Sequence, residues 1–176
     1  KSLITGTEVA KKTEPCKWKI WRNLASLQLF LKKNEAVENI ETAAMCDPKD
    51  LWASLVRARL HLELPSHLDP KDALEDARVA DRMAKEKQPV AKRIRALAHL
   101  RCGEFENAAS AAHAALDLKD VSPSNFLVIA IASAKLGDTS SARHNYEKAV
   151  ANWPTTLKEH NGYSVTADAG VLWFES

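Results

Sequence analysis

One interval governs what this chain can fold into. Gly103 and Gly137 each follow an apolar stretch and stand thirty-four residues apart. The same interval separates Ala108 from Ala142, Ala112 from Tyr146, Ala115 from Ala149 and Pro89 from Pro123. Features repeating in step at such a period mark a unit that buries its apolar face only by stacking on its neighbours.

Each feature has a physical role in a helix-turn-helix unit. A glycine takes the left-handed conformation that ends the first helix at no steric cost, which is the part assigned to Gly103 and Gly137. Ala108, Ala112 and Ala115 lie at i, i+4 and i+7 and form one stripe of the second helix, and Ala142, Tyr146 and Ala149 repeat it. Pro154 is placed to stop the last helix of that unit. Upstream, Ala73, Ala77 and Ala80 give the stripe again, and Ala36, Ile40, Ala43 and Pro48 keep the spacing of Ala142, Tyr146, Ala149 and Pro154. The stretch V-R-A-R-L-H-L from Val56 parallels I-R-A-L-A-H-L from Ile94, which sets Pro65 opposite Gly103. Asp69 or Asp72 is expected to cap the helix after Pro70, and Asn34 to end the first helix, where no glycine stands.

The pattern resembles the tetratricopeptide repeat, with its W-x2-L-G-x2-Y, A-x3-F and P positions. In the unit from Pro123 to Pro154, Phe126, Ile129, Ala130 and Ser133 stand where that motif has Trp, Leu, Gly and Tyr. The last third, with F-L-V-I-A-I-A-S-A-K-L-G and Y-E-K-A-V-A-N-W, is also similar to tetratricopeptide regions of large planctomycete proteins. The resemblance implies an all-α, right-handed α-solenoid of about four hairpins with a carboxy-terminal capping helix. A lead-in is expected over 1–14 and the repeat domain over 15–176. Hairpins are expected near 17–46, 49–86, 89–118 and 123–152, with the cap near 164–176. In that last segment Val165, Ala169, Leu172 and Trp173 fall on one helical stripe. The chain begins with Lys1, which suggests a piece of a longer protein.

Other classes find little support. Lys and Arg exceed Asp and Glu by only two in 176 residues, and no basic stripe carries interleaved aromatics, so nucleic acid is not expected. No apolar run approaches the ~20 residues that span a bilayer, and no signal peptide opens the chain. A cytoplasmic setting is therefore preferred to a secreted one. Cys16, Cys46 and Cys102 form no C-x-x-C pair and are expected to be free, buried small hydrophobes. His61 and His99 occupy equivalent places, but two histidines fall short of a metal ligand set, so no metal and no cofactor are expected and hydrogen bonding between helices is preferred. No nucleophile, zinc or phosphate-loop motif is present, which argues against an enzyme.

In tetratricopeptide stacks the first helix of each hairpin lines a groove. Transferring that spacing selects Trp18, Trp21, Leu55, Arg59, Arg93, Leu97, Arg101, Leu127 and Lys135 as the candidate partner-binding set. The set is aromatic at one end and basic in the middle, which suits a peptide or partner domain, possibly acidic in character. The Lys/Asn carboxylate clamp of chaperone-binding relatives is not matched, since Trp21 and Ala25 stand in the first unit. The same residues also fit a spacer whose tryptophans pack on an adjoining domain and whose cations solvate a face.

Overall fold

The computed structural model describes residues 17–153, which form eight α-helices and one short 3-10 turn. The helices are α1 (Trp18–Phe30), α2 (Glu35–Cys46), α3 (Leu51–Glu63), α4 (Pro70–Met83), α5 (Pro89–Arg101), α6 (Phe105–Asp117), α7 (Pro123–Lys135) and α8 (Thr139–Ala151). No strand occurs among the described residues. The lead-in over 1–14, Pro154 and the capping helix near 164–176 lie outside them.

Helices pair as α1/α2, α3/α4, α5/α6 and α7/α8, and each second helix packs on the first helix of the next pair. The first helices also touch one another in sequence, so α1, α3, α5 and α7 form a continuous layer. The fold is an α-solenoid. Its core falls into two clusters. One joins α3 to α7 around Ala77, Ala80, Ile94, Leu97, Ala112 and Ile129. The other joins α1, α2 and α3 around Leu29, Ile40 and Leu60, with Trp21 and Val37 packed against it.

The alanine stripes explain the close packing. Ala73, Ala77, Ala80, Ala108, Ala112 and Ala115 are all fully buried. A larger side chain at any of them would overpack the contact at a cost of about 1–3 kcal/mol.

The turns show how the repeat tolerates drift. Gly103 and Gly137 have φ of 76° and 84°, and their C-terminal turns close with Glu104 N–H donating to His99 O and Asp138 N–H donating to Ser133 O. In the first hairpin the corresponding left-handed residue is Lys32, φ 55°, and not Asn34, whose φ is −66°. Lys33 N–H donates to Gln28 O, the same closure. The Lys32 Nζ reaches the next hairpin, 3.4 Å from both the carbonyl and a carboxylate oxygen of Glu63. Before α4 the cap is Asp69, which accepts from the N–H groups of Lys71 and Asp72; Asp72 is not the cap.

The cysteines depart from expectation. Cys46, half-buried at the end of α2, is disulfide-bonded, and its partner lies outside the described residues. Cys102 is free but only partly buried, and desolvation raises its thiol pKa.

Candidate functional site

The layer of first helices offers an unequal surface. At its middle the charges are consumed internally. Arg93 is buried, with Nη1 3.1 Å from Asp120 Oδ2 in the loop that leads to α7. Arg59 Nε lies 2.7 Å from Glu63 Oε1, and Glu63 also takes Lys32. Lys92 Nζ and Arg95 Nη1 both converge on Asp81 Oδ2 of the preceding hairpin, at 2.9 and 2.8 Å. Arg57 is clamped by Asp76, whose hydrogen bond outweighs desolvation and raises the guanidinium pKa further.

Lys32–Glu63, Lys92–Asp81, Arg95–Asp81 and Arg93–Asp120 join successive repeats, whereas Arg59–Glu63 lies within α3 and Arg57–Asp76 joins the two helices of one hairpin. Arg22 and Arg93 hold the same place in α1 and α5, five residues in. Each reaches an aspartate just ahead of the next first helix. Asp50 accepts from Arg22 at 3.2 Å and caps α3 through the Trp52 N–H. Asp120 accepts from Arg93 and from the Ser122 N–H. In α3 and α7 the equivalent residues are Leu55 and Leu127.

The candidate set therefore separates. Leu55 and Leu97 are buried in the larger core. Trp21 packs against the smaller one. Arg59 and Arg93 carry their own carboxylates. Trp18 is half-buried, with Arg22 and Lys19 over its ring at 5.3 and 5.2 Å. Leu127 and Arg101 are partly exposed, and Lys135 is open to solvent.

Spacing selected Trp18 and Trp21 at the first end of the layer but missed the α1–α3 hollow beside them. There, Arg22, Asn23 and Ser26 of α1 face Trp52 and Val56 of α3 across a hollow of about 190 Å³. Trp52 is 45% exposed, which is unusual for so large an apolar ring. A tryptophan beside an arginine and two short polar side chains is a signal the sequence carried, but it lies three positions before Leu55 on the helix.

The two equivalent histidines make local bonds. His61 Nδ1 is 3.2 Å from His67 O, and His99 Nδ1 is 2.7 Å from Glu104 Oε2. Burial lowers the His99 pKa, and the Glu104 bond only partly offsets this.

The stacked hairpins and their continuous first-helix layer define a tetratricopeptide-like helical repeat. No family model matches the chain, and no curated protein matches it. Among solved structures it is similar to the crystal structure of MamA protein, with a TM-score of 0.66 and 15% identity over 85% of this chain and 80% of that one. The likeness is one of fold.

Proposed function

We propose that the chain is a non-catalytic interaction scaffold that holds a peptide or partner segment on its first-helix layer, with the contact centred on the α1–α3 hollow. The observation that carries this reading is Trp52, exposed above that hollow between Val56 and Arg22. Tryptophan and arginine dominate binding hot spots because they bury large area and still offer a donor. An acidic partner draws less support than the sequence suggested, because Arg59 and Arg93 are already neutralised by neighbouring carboxylates.

The test is selection of peptides from a random display library on the full chain, followed by titration of the winners. Trp52→Ala should weaken binding by about tenfold or more with the fold unchanged, the scale of a hot spot. Winners that bind the variant equally would overturn the placement.

A second reading is a docking array within a larger protein. It is favoured by the outer face of α1, where Ile20, Leu24, Leu27 and Leu31 are exposed. Their equivalents in α3, Ala53, Arg57, Leu60 and Leu64, lie beneath or against a preceding hairpin, and Ala53, Leu60 and Leu64 are buried.

A further inference from the structure

The hollow between α1 and α3 has a polar side that donates more than it accepts. Arg22 spends its guanidinium within the chain, on both oxygens of Asp50 at 3.3 and 3.2 Å and on Asn23 Oδ1 at 3.3 and 3.2 Å. A guanidinium only donates, so Asn23 turns its carbonyl to Arg22 and keeps its NH2 for something else. Asp50 is buried and also takes the Trp52 backbone N–H. The Asp50 carboxylate and the Asn23 carbonyl, the two acceptors beside the hollow, are thus engaged from within. Among the described residues the Asn23 NH2, the Ser26 hydroxyl and the Trp52 indole N–H have no hydrogen-bond partner. Across from the α1 donors lie the half-exposed Trp52 ring and Val56.

We propose, resting on the scaffold reading above, that the segment held in this hollow is an uncharged, proline-rich stretch in the polyproline II conformation. The donors call for carbonyl acceptors. A helix bonds its carbonyls internally except in its last turn, and would leave Asn23 and Ser26 unpaired. A β-strand brings N–H groups that need acceptors, and the hollow has only the Ser26 oxygen to spare. Proline carries a carbonyl and no N–H, so a polyproline II segment offers acceptors alone, and its rings pack on an aromatic face. Charge points the same way. Arg22 is the one cation lining the hollow and Asp50 already neutralises it, so a carboxylate brought there would meet Asp50 and be repelled. Size agrees as well. At about 190 Å³ the hollow is smaller than the ~300–1,000 Å³ of small-molecule sites, and takes one or two side chains of a longer segment.

Calorimetric titration of the full chain with a twelve-residue peptide of repeated Ala-Pro-Pro tests this. Two controls accompany it, one with every proline replaced by serine and one with every alanine replaced by glutamate. The proline peptide should bind about tenfold or more tightly than either control, and Trp52→Ala should remove that preference. Asn23→Asp keeps an acceptor for Arg22 but exchanges the NH2 for an oxygen. It should weaken the proline peptide by about threefold to tenfold, the scale of one hydrogen bond, with the fold unchanged. No binding of the proline peptide, equal or tighter binding of either control, or indifference to Asn23→Asp would each overturn the proposal. Peptides selected from a random library separate this from the scaffold reading. Winners that need Trp52 but lack proline would overturn the proposal alone. Winners that ignore Trp52→Ala would overturn the placement on which it rests.

Discussion

The first hairpin and the middle of the stack use their first helices in opposite ways. In the middle, α5 sits between α4 and α6 with Lys92, Arg93 and His99 all buried and each bonded to an acidic residue. At the first end, α1 buries Leu29 in a smaller core, leaves Leu24 and Leu27 open, and shares with α3 a hollow lined by Trp52. Charge on a repeat surface is thus a poor guide to partner charge. A cation on the middle helices is held by a carboxylate of its own hairpin, as Arg57 and Arg59 are, or of a neighbouring repeat element, as Lys92, Arg93 and Arg95 are. The first end instead exposes an aromatic ring and apolar side chains. This difference places the proposed contact at the end of the layer rather than in its basic centre.

The largest effect that would sharpen the contrast is at Asp81. Removing it as Asp81→Ala leaves Lys92 and Arg95 without their shared acceptor, and unfolding by urea should show a loss of about 3–5 kcal/mol. A loss under ~1 kcal/mol would mean that the middle is not held by this cluster.

Next in size is Ala112→Tyr, which copies Tyr146 into an interior boundary. It should cost about 1–3 kcal/mol in the same assay, because the site beneath α7 has no room for a ring. Tolerance of the tyrosine would show that the alanine stripe does not set the spacing of the hairpins.

Smaller still is Trp52→Ala as a stability change. With the ring half in solvent, denaturation should move by no more than about 1 kcal/mol, although partner binding falls. A large loss of stability would make Trp52 a structural residue and erase the distinction between the two regions.

The smallest effect is on pH dependence. Burial lowers the His99 pKa from its ordinary value of 6.5, so the folded state favours the neutral ring. Its contribution is complete above that value and declines as pH falls through the lowered folded value. Stability should therefore drop on acidification below about pH 6.5, and His99→Gln should reduce that slope. An unchanged slope would show that burial does not hold the His99 ring neutral in the folded state.

The sequence made the helical stack legible because alanine spacing and glycine turns obey a fixed period. Gly103 and Gly137 announce their left-handed turns by residue type, whereas Lys32 does not. Nothing local distinguishes it, and the contact it makes is with Glu63, thirty-one residues away. The buried cations were hidden for the same reason, since Asp81 and Asp120 belong to other elements than the residues they hold. The candidate surface was legible only in part. A first helix here is flanked by its own partner, by the preceding second helix and by the next first helix. Only a narrow strip stays open, and one position along the helix turns a side chain by about 100°. Leu55 and Trp52, three positions apart, lie only about 60° from each other around α3, yet Leu55 is buried and Trp52 is not, so a transferred spacing could not tell them apart.

The central claim is that the scaffold binds through its first end and not through the cations of its middle and far end. Calorimetric titration of one selected peptide into the full chain, into Trp52→Ala and into Arg101→Ala with Lys135→Ala tests it most directly. The account predicts a loss of about tenfold or more for Trp52→Ala and less than about threefold for the paired cation variant. The reverse order, with binding lost at Arg101 and Lys135 and kept without the Trp52 ring, would contradict it.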